Sequence, residues 1–342
     1  MFDSDNEILD FLRRGGVVDT HYHVGPELVM RRYNVKTLAD CARPYNAALV
    51  LKNHTYATTA LASLARAEFG VDFYGGVVLN HYVGGLNPEA VVGAVSGNKA
   101  DVTAARPDAS PVVVWMPTVD AASHIETFGF GFDPKWSGCC VSDSCHAGHT
   151  SEAAPGAEPY RRDPVVAFSV ASDGLRPTAE LIAVLETLAA NGCVLATGHL
   201  SAAEVLRLVP LAVEMGVRRI ILTHPHYPSV RLSDAELRQL VGFENVYIEH
   251  CFAIHTQDGV ALEHFADSIC FTGPERVVLS TDFGQINSEG FPDGTLTYMK
   301  AMARLLKGRI SERDFLDMFT ANGRRALGMD AVFQEPDFTA SA

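Results

Sequence analysis

Four short apolar runs in this chain end in residues that can hold a metal. Val17 to His23 closes on two histidines one residue apart, Cys193 to His199 and Arg219 to His224 close on one each, and Val277 to Asp282 closes on a carboxylate. Alternate side chains of a strand share a face, so His21 and His23 point the same way if their run is a strand. A lone His-x-His pair also occurs on ordinary surface strands, and a lone buried histidine is more often a hydrogen-bonded core residue than a ligand. It is the recurrence at four strand ends that carries weight. Imidazole nitrogens with a carboxylate suit zinc and its borderline neighbours, and a catalytic site leaves a position open for water. Water bound to such a cation loses a proton near neutral pH and becomes a nucleophile.

The elements that must position these residues alternate along the chain. Short β-branched runs and helical patterns follow one another, the signature of parallel strands joined by crossover helices. Strands are predicted at Gly16 to Val24, Ala47 to His54, Phe73 to Asn80 and Pro111 to Met116, then at the runs ending in His199 and His224, at Val246 to Glu249 or His250, and at the run ending in Asp282. Ser201 with Glu204, and Ser233 with Glu236, are capping-box patterns that open helices just after His199 and His224. Eight such units predict an α/β fold, a (β/α)8 TIM barrel over residues 1–329, whose active site collects at the carboxyl ends of the strands. A doubly wound sheet would carry a glycine-rich phosphate turn after its first strand, where this chain has His21-Tyr22-His23. Residues 118–177 lack periodicity apart from one possible strand, Val165 to Val170, and are expected to form an irregular lid or insertion after the fourth strand. Helices are expected at Glu89 to Ala105 and, closing the domain, at Leu296 to Lys307 and Glu312 to Leu327, with residues 330–342 as a tail.

Composition bounds the partners. With 342 residues, 47% hydrophobic, the chain can bury one large core, and a net charge of −14 without a basic run argues against nucleic acid. Seven scattered cysteines fit reduced thiols. Met1 to Arg14 reads as an amphipathic helix without the features of a leader, and no stretch is long enough to span a membrane, so a cytoplasmic location is expected.

The His-x-His after the first strand, the single histidines after the fifth and sixth and the Asp after the eighth resemble the amidohydrolase superfamily of metal-dependent hydrolases. The likeness spans Gly16 to Leu327, and Phe319 to Gly328 is similar to that superfamily's closing helix. Ala196 to Ser201 and Trp115 to Asp120 resemble a subgroup without an assigned substrate. The resemblance implies that His21, His23 and Asp282 hold one metal, most simply Zn2+, and that His199 and His224 hold a second or, in one-metal members, share ligation and substrate contact. It also implies Asp282 as general base, and a small-molecule substrate handled by a homo-oligomer. The chain departs from the pattern at its fourth strand, which offers neither the bridging lysine nor a glutamate of two-metal members. Lys52 is the one lysine at a strand end, and three roles stay open for it: a displaced bridge as its carbamate, a cation for an anionic substrate group, or a structural ion pair. His54, His81, Tyr22, His250 and Arg161 are candidates to line the substrate pocket, with Asn80 and His226 nearby, and Glu249 and His250 cannot both face inward. Cys139, Cys140, Cys145, His146 and His149 match no zinc-finger spacing, and Phe128, Phe130, Phe132 and Trp136 suit a lid over the barrel mouth. The expected reaction is hydrolysis of an amide, lactam, imide or ester bond, with one-metal decarboxylation of an aromatic or unsaturated acid as the alternative.

Overall fold

The computed structural model describes residues 2, 4–99, 103, 110–129, 163–172 and 174–329. Eight parallel strands form the sheet: β1 (Val17–His23), β2 (Ala47–Lys52), β3 (Asp72–Val78) and β4 (Val112–Trp115). A separate antiparallel pair follows, β5 (Phe168–Ala171) and β6 (Gly174–Pro177), before the sheet resumes with β7 (Val194–Ala196), β8 (Ile220–Thr223), β9 (Val246–Cys251) and β10 (Val277–Ser280). Helices flank the strands, and the eighth strand returns to the first, so the predicted TIM barrel is the observed fold. Between β10 and β1 the contact is local: the Thr20 N–H donates to Ser280 Oγ at 3.1 Å, the Asp282 N–H to His21 O at 2.9 Å and the His23 N–H to Phe283 O at 2.7 Å.

Two layers of core follow from the alternation of the strands. Outward residues such as Tyr22, Leu49, Leu51, Phe73 and Leu222 pack under the helices, while Val18, Val50, Val113, Trp115, Ile221 and Val278 fill the barrel. The interior is therefore a packed plug whose carboxyl end carries the histidines and carboxylates. Ser201 and Ser233 accept the amides of Glu204 and Glu236, whose carboxylates return to the serine backbone, so helices 202–214 and 234–240 start where the capping boxes place them. That leaves a short turn between β7 and its helix, and His199 is held within it.

The structure departs from the expectations in four places. A helix at Ala122–Phe128 lies where no periodicity was visible, and β5–β6 is a hairpin where a single strand was expected. The helix after β3 ends at Ser96, with Gly97 at its C-cap. The closing helix breaks at Thr320 into Glu312–Phe319 and Ala321–Leu327, because Asn322 Nδ2 donates to Pro274 O and Val277 O, both at 2.8 Å, and docks the second piece on the start of β10. Most of the expected lid, with the cysteine- and histidine-rich stretch 139–149, and the tail 330–342 lie outside the described residues. Among the described residues no helix is long and apolar enough to cross a membrane.

Candidate functional site

A one-residue irregularity in β1 builds the site. Between Asp19 and Tyr22 the register against β2 slips, so Thr20 and His21 both turn toward the interior and His23 follows two residues later. Asp19 locks this kink to β10: its carboxylate accepts the His21 N–H at 3.0 Å, the Thr281 N–H at 3.2 Å and the Thr281 hydroxyl at 2.5 Å. Burial pushes Asp19 up to about 7 in spite of those bonds. Asp282 follows at once, with the left-handed φ of 52° that aspartate tolerates better than most residues. Gly284 completes the approach. Its φ is +116°, and a Cβ there would sit 2.0 Å from His23 O, so only glycine lets the chain after β10 lie against β1.

The result is a cluster of three donors. Asp282 Oδ1 lies 3.1 Å from His21 Nε2 and 3.0 Å from His23 Nε2, and the three donor atoms fall within 4.8 Å of one another. His21 Nδ1 is 3.1 Å from Glu249 Oε2, and the Thr20 hydroxyl bonds Glu249 Oε1, so Glu249 orients the ring and turns Nε2 toward the cluster. Asp282 Oδ1 accepts no well-directed hydrogen bond although it is buried between two imidazoles. Two imidazole nitrogens and a carboxylate oxygen around an unmet buried acceptor are the donor set of a divalent transition metal, and the residues fit one.

The charges agree with that fit. Burial works to raise Asp282, but His21 and His23 hold its carboxyl well below the usual carboxylate range. Glu249 is lowered in the same way: burial opposes, and the charge and bond of His21 with the bond of Thr20 prevail. His21 itself is raised, since Asp282 and Glu249 outweigh its burial. His23, His54, His199 and His224 are lowered chiefly by burial, His224 to about 3, so these rings are neutral with lone pairs available.

Around the cluster lies a cleft of about 370 Å³, counted to its open mouth, whose walls include Arg31, Lys52, His54, His199, His224 and Tyr227. Lys52, at the end of β2, is fully buried with Nζ 2.8 Å from His21 Nε2 and 5.4 Å above the Trp115 ring. Burial lowers its pKa, against the pull of Asp282 and Glu249. His54 lies tilted against His23 with ring centres 4.8 Å apart, and its Nδ1 meets Thr118 Oγ1 at 2.9 Å, where Asn80 Nδ2 also donates. His199 is supported by His124, whose Nδ1 is 2.9 Å away, and His224 has φ 26° with Nδ1 buried and unpartnered.

His21, His23, Asp282, Lys52, His54, His199 and His224 are thus brought together at one end of the barrel. The other candidates are not. Tyr22, between the two histidines, points to the opposite side of β1 and packs beneath the helices. His250 faces outward and stacks on Phe265, leaving the interior to Glu249, and His226 turns outward onto His264 and Asp234. His81 is spent on the insertion, with its N–H on Asp120 and Nε2 at 2.6 Å from Asp163 O. Arg161 lies outside the described residues. Glu249, Asp19, His124 and Arg31 are the additions. Parity along β9 flagged Glu249 as an option, whereas the other three sit where no pattern points to a site.

A barrel with a histidine- and carboxylate-lined carboxyl face defines the class of protein. The chain belongs to a protein family of unknown function, DUF6282, whose model matches residues 16–249. No curated protein matches it. Among solved structures, ATU3138 of Agrobacterium tumefaciens is 12% identical over 92% of this chain and 95% of that one, with a TM-score of 0.51, and shares its fold. Amidohydrolase 2 from Bifidobacterium longum subsp. infantis is 17% identical over 92% and 99% of the two chains at a TM-score of 0.46. Dihydroorotase from Campylobacter jejuni is 10% identical over 94% and 84% at 0.46.

Proposed function

We propose that this protein is a metal-dependent hydrolase that cleaves an amide, lactam, imide or ester bond of a small molecule. The observation that carries this reading is the convergence of His21 Nε2, His23 Nε2 and Asp282 Oδ1 in the cleft at the carboxyl end of the barrel. These three side chains would hold a divalent cation, Zn2+ by the nature of the donors, and such an ion supplies Lewis acidity that acidifies water and polarises a carbonyl. The ionised Asp282 carboxylate takes the proton of the attacking water and delivers it to the leaving group. His224, a neutral imidazole with Nδ1 unpartnered, donates to the oxygen of the scissile carbonyl, and His199, backed by His124, lines the same space. Lys52 stands beside the cluster, with Nζ 2.8 Å from His21 Nε2.

One observation favours decarboxylation as a second reading. Among the described residues His199 and His224 share no compact donor group with the cluster, so they add no second site of the kind two-metal members use, although His23 also groups with Glu27 and His54. One-metal chemistry fits removal of CO2 from an acid as well as hydrolysis.

Metal-loaded protein screened against amide, lactone and lactam libraries, and against aromatic acids with CO2 release as readout, separates the two. Asp282→Asn keeps an oxygen donor while removing the base, so hydrolysis is expected to fall by roughly 10²–10⁴-fold in variant protein that retains metal. Turnover persisting at the wild-type rate in such protein contradicts the base assignment, and CO2 release without hydrolysis replaces the first reading by the second.

A further inference from the structure

One wall of the cleft plays no part in the chemistry just described. Arg31 lies on the loop after β1 with its side chain 2% exposed, and it also lines the cleft. Its Nε donates to Glu27 Oε2, and Glu27 Oε1 accepts the His54 N–H at 2.6 Å, so the guanidinium is fixed to the ends of β1 and β2. Its Nη2 is buried without a hydrogen-bond partner. Gln257, on the same lining after β9, has a buried Nε2 that is equally unpartnered. A buried donor left unmet is costly, more so when the group is charged, and the contact of Nε with Glu27 already anchors the loop. Both unmet donors belong to residues that line the cleft.

The chemistry of a ligand for them follows from the donors. A guanidinium held by one edge presents a rigid fork that matches a carboxylate, and an amide N–H₂ beside it adds a neutral donor. Lys52 lies beside the metal cluster and is balanced there by the Asp282 and Glu249 carboxylates, so the test below also asks whether it takes the acid group. Gln285 Oε1, on the same lining, is an acceptor and cannot hold an acid group, and the Asp258 carboxylate there repels one, so Arg31 and Gln257 are the donors that must hold it. Resting on the metal-hydrolase reading, we infer that the substrate is an acid, and that Arg31 with Gln257 binds a carboxylate separate from the bond that is cut. The substrate class is then an N-acylated amino acid or a similar acid that carries both an amide and a remote carboxylate.

The test is calorimetric, and chromatography of each titrated sample separates the heat of binding from any hydrolysis. N-acetylglycine and N-acetylphenylalanine are titrated into metal-loaded protein, each beside its primary amide. The acids are expected to bind at least roughly tenfold tighter than the amides, a difference of about 1.4 kcal/mol. In Arg31→Met that preference is expected to fall below about threefold with metal content and amide affinity unchanged, since a charge-assisted pair is what has been lost. Because Arg31→Met leaves Glu27 buried and unpaired, the double variant Arg31→Met/Glu27→Gln is made alongside it, and the acid-against-amide comparison on wild-type protein requires no variant. Equal affinity of acid and amide, or no binding of either up to tens of millimolar, overturns the inference. So does a preference that survives in both Arg31 variants, because the carboxylate then sits on the metal or on Lys52. Arg31-dependent binding of inorganic phosphate without binding of the acids overturns the carboxylate assignment. Failure of the hydrolase reading is separate: it appears as folded protein that binds no metal, and the acid preference is read on that protein as well.

Discussion

Glu249 makes no contact with the proposed substrate, yet replacing it is a sharp test of how the cluster is held. In Glu249→Gln the side chain keeps its shape, its oxygen can still accept from His21 Nδ1, and its new N–H₂ can donate to Thr20 Oγ, which then donates to Ser280 Oγ 2.6 Å away. Packing is therefore preserved and what disappears is a negative charge 3.1 Å from the His21 ring, with both groups fully buried. A hydrogen bond to an ionised group contributes about 1.5–3 kcal/mol and a neutral one about 0.5–1.5, so the change removes on the order of 1–1.5 kcal/mol from the bond that makes His21 a strong ligand. Loss of a carboxylate behind a ligating histidine ordinarily weakens metal binding by roughly 10–100-fold, about 1.4–2.7 kcal/mol, whose lower end meets that figure. Competition against a chromophoric chelator measures the affinity directly, and circular dichroism confirms the fold. Affinity within twofold of wild type in folded Glu249→Gln would mean that His21 is not a ligand, or that Glu249 does not orient it.

Two further outcomes follow from the same electrostatics. His226 is lowered to about 4, mainly by burial, with His264 adding to the effect and Asp234 opposing it. A depressed histidine means that the unfolded chain takes up its proton first, so stability is present above about pH 6.5 and is lost as the pH falls toward about 4. At 1.36 kcal/mol per pH unit this amounts to about 2 kcal/mol by pH 5, and urea midpoints at pH 7.5 and 5 should show a smaller acid loss in His226→Phe, with an unchanged loss counting against the assignment. Burial pushes the Cys193 thiol up to about 12 and raises Cys251, whereas Cys270 is exposed. Iodoacetamide should accordingly label Cys270 in native protein and reach Cys193 and Cys251 only on unfolding, and equal native labelling of Cys193 and Cys270 would show that burial to be wrong.

What could be read from the sequence is what depends on alternation. His21, His23, His199, His224 and Asp282 each terminate an apolar run, and in a parallel barrel the ends of such runs meet at one face. Parity alone also separates Tyr22 from its two neighbours and sends it away from the pocket, beneath the helices. At Glu249 and His250 parity states the choice without making it, since the inward residue of β9 is decided by pairing with β8 and β10. The register slip in β1 is a tertiary event, imposed by Asp19 reaching Thr281 across 262 residues of sequence. Arg31 and His124 come from a loop and from a short helix in an aperiodic segment, so nothing in their local pattern marks them. Their roles arise from what the barrel brings to them.

The central claim, that His21, His23 and Asp282 form a metal site, is tested most directly by elemental analysis of protein purified without chelator, with and without added bicarbonate. About one divalent ion per chain is expected, most simply zinc, lost in His23→Ala and in Asp282→Ala and indifferent to bicarbonate. A second equivalent that requires bicarbonate and Lys52 would replace the one-metal count with a carbamate-bridged pair. Folded wild-type protein that holds no metal, even after incubation with zinc, would contradict the account at its foundation.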